Sequence, residues 1–322
     1  MDTTGRRVPF DAQQVDAPLS RSAVFLTVTI GPTPEQLKTA LEVVAGIDDL
    51  VKSVGFRDLG ANLSCIVGIG SGAWDRLGRS DRPAELHPFA AIAGPKHTAP
   101  STPGDLLFHI RAERPDFCFE FERLLFEQLG DSVEVVDEVN GFRYFDARDL
   151  LGFVDGTANP TGRGMADATL IGDEDEAFAG GSYVVVQKYL HDLGTWNAMT
   201  TEQQEAVIGR RKADDLELDD TEPQRAHKTL ATVTDDDGNE FDILRDNMPF
   251  GSPAAGEYGT YFIGYTRRLW VIERMLQRMF LGDPPGFHDR ILDVSTAVTG
   301  ATFFVPSLQL LEGIADGSGD TK

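Results

Sequence analysis

The alternation of apolar and polar residues predicts strands and helices that follow one another twice along the chain. Runs rich in β-branched and aromatic residues indicate strands, whereas apolar residues spaced three or four apart indicate helices. The predicted strands of the first half are Ser22–Ile30, Leu63–Gly70, Leu106–Arg111 and a hairpin-like stretch at Val133–Phe145. Its predicted helices are Pro34–Val54, a short one near Trp74, and Asp116–Leu129.

The second half repeats this plan at a nearly constant offset. Strand Ser182–Tyr189 matches the first strand at an offset of 160 residues. Strand Thr260–Thr266 and helix Leu269–Phe280 match the stretch that starts at Leu106 at an offset of about 154 residues. Such repetition predicts an α+β fold of two related halves, each an antiparallel sheet covered by helices.

Segments without this periodicity give the predicted boundaries. Long loops are predicted at Arg82–Gly104, which is rich in Pro and Ala, and at Gly156–Gly181. The chain is thereby divided into an N-terminal tail at 1–20, a first half at 21–150, a loop and linker at 151–181, a second half at 182–313 and a C-terminal tail at 314–322.

Composition and charge limit the partners. A chain of 322 residues, 41% of them hydrophobic, can bury a large core. Its 29 Lys and Arg against 52 Asp and Glu give a net charge of -23, which disfavours nucleic acid and anionic membranes and attracts cations such as Mn²⁺.

Arg6–Arg7 precede no apolar signal segment and no apolar run could span a membrane, so we expect a cytoplasmic protein. Cys65 and Cys118 each lie among apolar residues, which favours free thiols.

The strongest chemical signal is the segment Gly152–Pro160, because it places one carboxylate, Asp155, between apolar residues and a run of turn formers. Gly156 and the pair Asn159–Pro160 bend the backbone, and the preceding apolar residues lower the local dielectric. A rigid, partly dried carboxylate suits acid–base chemistry. The alternative interpretation of the same residues is an aspartate that stabilises a surface turn.

Three other segments partly match known binding motifs but lack a required feature of each. Gly68–Ala73 fits a dinucleotide-binding fingerprint, but a Pro-rich loop follows it where the second parallel strand and its acid are required. Gly156–Gly164 lacks the spacing and the Lys-Ser/Thr pair of a phosphate loop. In Asp235–Glu240 the glycine stands at the fourth position instead of the sixth, which favours a hairpin turn over a calcium loop.

Gly152–Pro160 resembles the G-x-x-D-G-T-x-N-P signature of the dye-decolorizing haem peroxidases. Arg225–Thr229 resembles the segment of that family that carries the proximal histidine, and Ile243–Gly251 resembles its distal arginine segment. The three segments occur in the family's order. The similarity extends roughly from residue 21 to residue 312 and is greatest to the compact, B-type branch.

The resemblance implies duplicated ferredoxin-like halves with haem in the C-terminal half. It implies haem b with iron held through His227, non-covalently because no Cys-x-x-Cys-His motif occurs. Asp155 and Arg245 become the distal catalytic residues, with Asn247 orienting a water or Asp155. A hairpin with arms Lys228–Thr234 and Glu240–Arg245, turning at Asp237–Gly238, would bring Arg245 towards His227.

Further contacts to the haem are assigned with less support from the residues themselves. Gly156 and Thr157, beside Asp155, are expected to line the cofactor. Arg210 is a weaker candidate for a propionate contact, since a surface charge at a helix end is the better-supported interpretation of that residue. A proximal histidine usually donates its second ring N–H to an acceptor. Asp289 is our first candidate for that acceptor and Asp293 our second, and either could instead be a helix-start or solvated acid.

The implied activity is reduction of hydrogen peroxide through a ferryl intermediate, followed by oxidation of dyes, phenols or similar one-electron donors. The alternatives are a chlorite-dismutase-like haem enzyme, which is not expected to have the Asp155–Thr157 constellation, and a non-enzymatic haem carrier, which needs His227 alone. The family makes a homo-oligomer the expected state. The polar tail Gly313–Lys322 has no apolar docking face, so we expect no encapsulin docking.

Overall fold

A ten-stranded antiparallel sheet organises the protein, in a computed structural model that describes residues 11–235 and 237–315. The strands are β1 (Ser22–Ile30), β2 (Ser64–Gly70), β3 (Ile92–Ala93), β4 (Thr98–Ala99), β5 (Leu106–Ala112), β6 (Val133–Phe142), β7 (Ser182–His191), β8 (Val233–Thr234), β9 (Glu240–Phe241), β10 (Leu244–Arg245), β11 (Met248–Ser252), β12 (Glu257–Thr266), β13 (Ser295–Ala297) and β14 (Ala301–Val305).

Most of the helices cover one face of this sheet. They are α1 (Pro34–Ala45), α2 (Ile47–Gly55), α3 (Ser71–Arg76), α4 (Pro115–Leu129), α5 (Arg163–Thr169), α6 (Leu193–Ala198), α7 (Thr201–Ile208), α8 (His227–Leu230), α9 (Leu269–Leu281) and α10 (Leu308–Ile314). Short 3-10 turns lie at Leu59–Ala61, Asp173–Phe178, Pro253–Ala255 and Arg290–Asp293. None of the helices in the described part of the chain is long and apolar enough to cross a membrane.

The strand order shows the duplication. The first half contributes β2-β5-β1-β6, and the second half contributes β10-β12-β7-β14, with β11 also paired to β12. In both quartets the first strand lies between the third and the fourth. The predicted α+β class with duplicated ferredoxin-like halves is therefore confirmed.

The two quartets form one sheet rather than two, because β14 pairs with β2 through Phe303↔Gly70 and Phe304↔Ile69. At the other end β6 approaches β11, and a Cβ built on Gly141 would lie 2.7 Å from the Cβ of Met248. Phe25 of β1 stacks on Tyr261 of β12 with ring centroids 4.3 Å apart. The face of the sheet opposite the helices thus packs largely against itself.

Several predicted elements need correction. The single helix predicted over Pro34–Val54 is broken at Gly46, which ends α1 and starts α2 and whose N–H is accepted by the carbonyls of Glu42 and Val44. Glycine is a poor helix former, so the chain turns there at small cost. The hairpin-like stretch at Val133–Phe145 is the single strand β6, which pairs with β1 across a bulge at Thr27/Val28.

The predicted loops also contain regular structure. Arg82–Gly104 includes β3 and β4, and Gly156–Gly181 includes α5 and a 3-10 turn. The turn at Asp237–Gly238 is present, but its arms are short. His227–Leu230 is helix α8, the paired strands are only β8 and β9, and β10 pairs with β12 instead.

Other sequence predictions agree with the structure or fall outside it. β2, which carries the dinucleotide-like glycines, pairs antiparallel with β5 and β14, so no parallel nucleotide-binding unit forms there. Cys65 and Cys118 are free. Arg6–Arg7 and residues 316–322 of the predicted C-terminal tail lie outside the described residues, and the predicted domain boundaries stay predictions.

Candidate active site

His227 is the first residue of α8 and is held by a buried carboxylate. Its Nδ1 lies 2.7 Å from Oδ2 of Asp289, a side chain with no exposed surface. The other oxygen of Asp289 accepts the N–H of Ile291 at 3.1 Å, so one acid caps the 3-10 turn and orients the imidazole. Within the described residues Nε2 of His227 makes no hydrogen bond, which leaves it as the ring nitrogen for a ligand.

The charge balance around His227 favours an electron-rich ring. Burial lowers the pKa of His227, but the charge of Asp289 and its hydrogen bond raise it, with the net result that the pKa lies above its ordinary value. Arg245 opposes this shift and Asp155 adds to it, so both groups are electrostatically close to the imidazole. A hydrogen-bonded carboxylate of this kind is the usual partner of a metal-ligating histidine.

Asp155 and Arg245 line the same cavities as His227. The loop at Asp155 is fixed by its N–H to the carbonyl of Ala147 at 2.9 Å, and Gly156 follows with φ +83°, a left-handed conformation that glycine adopts freely. The carboxylate of Asp155 accepts no hydrogen bond from any described residue. Arg245 is placed by the pairing of β10 with Gly264 of β12.

The guanidinium of Arg245 has a donor that is not hydrogen-bonded. Its Nε is buried without a hydrogen-bond partner among the described residues. Burial lowers the pKa of Arg245, whereas the neighbouring charge of Asp155 raises it. A guanidinium stays protonated in proteins, so Arg245 brings a permanent positive charge to the cavities that it lines.

Asn159 joins the Asp155 loop to β10. Its Nδ2 donates to the carbonyl of Arg245 at 2.7 Å, and its Oδ1 accepts the N–H of Arg245 at 3.0 Å. Sequence reasoning treated Asn159 only as a turn residue. Its position in a motif beside Asp155 was the only signal, and the partner 86 residues away could not be read from it.

Two cavities that share lining residues, of about 160 Å³ and about 510 Å³, lie at His227, Asp155 and Arg245. Both are lined by these three residues. The smaller, inner cavity is mainly apolar, with walls that include Leu151, Phe153, Phe262, Met275, Leu276, Met279 and Ile291. The larger, outer cavity carries four cationic side chains, Arg210, Arg225, Lys228 and Arg278, together with the acids Glu217 and Glu240. An apolar slot with cations at its mouth fits a flat apolar macrocycle that bears carboxylates on one edge.

Four of the remaining predicted residues line the two cavities. Gly156, Thr157 and Arg210 line the outer cavity, although Arg210 is already paired with Glu217 at 2.6 Å and with Asp215. Asn247 lines the inner cavity, and its Oδ1 accepts the N–H of Ile263 at 3.1 Å, which leaves Nδ2 without a partner among the described residues.

The second candidate for the proximal acceptor, Asp293, is wrong. It lies at the far end of the 3-10 turn from Asp289 and binds Lys96, His97 and His288 instead of His227. The turn separates the two acids, so only Asp289 faces the imidazole.

Sequence reasoning missed two groups at the site. Asp149 lines the inner cavity and accepts the N–H of Phe153 at 2.9 Å; burial raises its pKa to about 7, and repulsion from Asp155 acts in the same direction. Asp246, 2% exposed, forms a 3.0 Å ion pair with the equally buried Arg111 of β5. That pair ties the chain beside Arg245 to the first half of the protein.

Comparisons with known proteins identify the family. The sequence model of the "Dyp-type peroxidase, N-terminal" domain matches residues 10–143, and that of the "Dyp-type peroxidase, C-terminal" domain matches residues 146–310. The dye-decolorizing peroxidase of Mycobacterium tuberculosis is 56% identical over 301 residues, which cover 93% of this chain and 89% of the relative.

Solved structures agree. DyPB from Rhodococcus jostii RHA1 is 58% identical, with a TM-score of 0.91 over 94% of this chain and 97% of that one. The encapsulated DyP-type peroxidase from Mycobacterium smegmatis is 55% identical, with a TM-score of 0.90 over 94% and 97%. Variants of the Rhodococcus jostii enzyme are known in complex with heme, and a DypB variant in complex with manganese. The predicted family is confirmed, and neither the chlorite-dismutase-like alternative nor a haem carrier is supported. This chain belongs to the Dyp-type peroxidase family.

Proposed function

We propose that this peroxidase reduces hydrogen peroxide at a haem that lies in the cavity between His227 and the pair Asp155 and Arg245. The observation that carries the proposal is the 2.7 Å contact of His227 with the buried Asp289, which leaves Nε2 unpaired among the described residues in a cavity that a free carboxylate, Asp155, and the guanidinium of Arg245 also line. Haem is the cofactor of the family, and its complexes with relatives at 57% identity support the same cofactor here.

The residues fit this cofactor. Nε2 of His227 would hold the iron, and the apolar walls of the inner cavity would cover the macrocycle. Arg210, at the outer cavity, would face a haem propionate, and Gly156 and Thr157 would border the haem. When bound, the haem supplies the two-electron redox chemistry that cleaves the peroxide O–O bond.

The chain's own residues move the proton and stabilise charge. An ionised Asp155 can take a proton from the inner peroxide oxygen and return it to the outer oxygen, which then leaves as water. Arg245, permanently cationic and desolvated, stabilises the negative charge that develops during cleavage. The free Nδ2 of Asn247 is the donor that would orient a water or Asp155. The relative contributions of Asp155 and Arg245 are measured by the rates at which variants of each residue react with peroxide.

The electron donors and the assembly are also proposals. We propose aromatic one-electron donors such as phenols and dyes, with Mn²⁺ as a further donor, which the manganese complex of a relative supports. A cytoplasmic location and a homo-oligomer stay predictions. So does the absence of encapsulin docking, since residues 316–322 lie outside the described part of the chain and one relative is encapsulated. Co-expression with an encapsulin shell tests it.

Stopped-flow spectroscopy of the haem-loaded enzyme with one equivalent of hydrogen peroxide tests the proposal. We expect a rapid change of the Soret band that an added phenol reverses. Asp155→Ala and Arg245→Leu should both retain haem, and at least one should slow that change by about 10²-fold or more, the scale of a positioned acid–base group. Exposed residues provide matched controls, Asp146→Ala and Arg211→Leu. Near-native rates in both distal variants would refute the assignment.

A further inference from the structure

A cluster of metal-ligating side chains lies on the surface away from the haem cavity, and we call it the His–Asp cluster. It consists of His97, His288 and Asp293, whose ligand atoms all lie within 4.8 Å of one another. Oδ1 of Asp293 is 2.8 Å from Nε2 of His97 and 3.0 Å from Nε2 of His288. The two imidazole rings meet edge to face, with centroids 5.0 Å apart. Two imidazole nitrogens and a carboxylate oxygen therefore converge on one point.

The convergence is not a consequence of local sequence. His97 follows β3 in the first half, and Asp293 lies 196 residues later. Each segment is fixed by contacts outside the cluster. The N–H of Gly94 donates to the carbonyl of His97 at 3.0 Å, and the carbonyl of His288 accepts Nε2 of Gln224 at 3.0 Å. The backbones that carry the ligands are thus held in place without help from the ligands themselves, as a preformed site requires.

The cluster is open to solvent on one side. The side chains of His97 and His288 are 20% and 18% exposed, and that of Asp293 is 36% exposed. Lys96 places its Nζ 2.5 Å from the same Oδ1 of Asp293, and its side chain is 58% exposed. A cation thus already pairs with the carboxylate oxygen that both imidazoles contact, on a flexible stem that can swing into water.

We propose that the His–Asp cluster binds one divalent cation of the borderline first-row type, such as Zn²⁺, through Nε2 of His97, Nε2 of His288 and a carboxylate oxygen of Asp293. Lys96 is displaced, the imidazoles bind as neutral ligands, and water completes the coordination. Imidazole ligands suit Zn²⁺ better than Mn²⁺, which prefers oxygen. The ion would link the first half of the protein to the segment beside Asp289.

Equilibrium dialysis of the haem-loaded enzyme against Zn²⁺, with metal counted by mass spectrometry, tests the proposal. His97→Ala should weaken the tightest Zn²⁺ site at least about tenfold, since even supporting groups around metals contribute 10–100-fold. Lys96→Ala should strengthen the same site because a competing cation is removed. His87→Ala is the matched control, since this histidine is 44% exposed and pairs with Glu273 elsewhere. An excess of Mn²⁺ should displace Zn²⁺ poorly.

A second readout is the thermal midpoint of unfolding, which Zn²⁺ should raise in the wild type and in His87→Ala but not in His97→Ala, because a ligand bound only by the folded state stabilises it. Equal Zn²⁺ affinity in the wild type and His97→Ala would overturn the proposal. A Lys96→Ala variant that binds Zn²⁺ no more tightly than the wild type would overturn the part of the proposal in which the metal displaces Lys96.

Discussion

Removal of the Asn159 side chain tests how Arg245 is positioned. The amide makes two hydrogen bonds to one residue, donating to the carbonyl of Arg245 at 2.7 Å and accepting its N–H at 3.0 Å. β10 is only two residues long, so sheet pairing alone gives Arg245 little support. We therefore expect Asn159→Ala to free the strand that carries the guanidinium.

The magnitude follows from the two bonds. At about 1 kcal/mol net for each hydrogen bond, Asn159→Ala should lose about 2 kcal/mol of stability, or roughly 4 °C in thermal midpoint for a protein of this size. A displacement of Arg245 by about 1 Å should slow the reaction with peroxide by about 10²-fold. Asn159→Asp should be no better than Ala, because a carboxylate can accept the N–H of Arg245 but opposes its carbonyl oxygen.

The assay compares thermal unfolding with the stopped-flow rate of the peroxide-induced Soret change. Asn140→Ala is the control, because Asn140 is exposed and bonds only to Glu138 of its own strand at 3.3 Å. A variant that loses the expected stability but reacts with peroxide at the wild-type rate would refute the reasoning. That result would mean that pairing with Gly264 is sufficient to place Arg245.

Three further predictions concern the ligand, the stability and the assembly. His227→Ala should lose the imidazole-type haem spectrum, and full haem occupancy with an unchanged spectrum would remove His227 from the site. Burial, together with the charge of Glu138, raises the pKa of Glu122 from 4.5 to about 7. Ionising Glu122 therefore costs the folded state up to roughly 3 kcal/mol of stability. This cost is absent below pH 4.5 and complete above pH 7. Glu122→Gln should therefore raise the thermal midpoint at pH 8 but not at pH 4, and equal shifts at both pH values would contradict this account. Light scattering after size exclusion should show more than one subunit, and a monomer would contradict the predicted homo-oligomer.

Sequence patterns gave the strands and helices that are long and apolar. β1, β7 and α9 lie within two residues of their predicted bounds, because the two strands bury long, largely apolar stretches and the helix buries apolar residues spaced three or four apart. The break at Gly46 was missed because the apolar spacing continues through it. The α8 helix was missed because four residues carry too little periodicity to separate a helical turn from the arm of a hairpin.

The site was predictable where a residue acts through its own local motif. Asp155, His227 and Arg245 stand in segments that resemble the family's, and the structure brings all three to one cavity. Contacts made across the fold could not be predicted. The choice between Asp289 and Asp293 depends on which end of a 3-10 turn faces α8, and the Arg111–Asp246 pair joins β5 to the β10–β11 connection.

The two related halves differ in the layer that lines the inner cavity. Helix α4 and helix α9 cover equivalent strands at the offset of about 154 residues, so Phe121 corresponds to Met275. Phe121 is fully buried against the first-half sheet, where it fills the space between the helix and the strands. Met275 lines the inner cavity together with Thr260 and Phe262 of β12. One layer of sheet and helix thus serves as solid core in the first half and, with smaller or more adaptable side chains, as a cofactor cavity in the second.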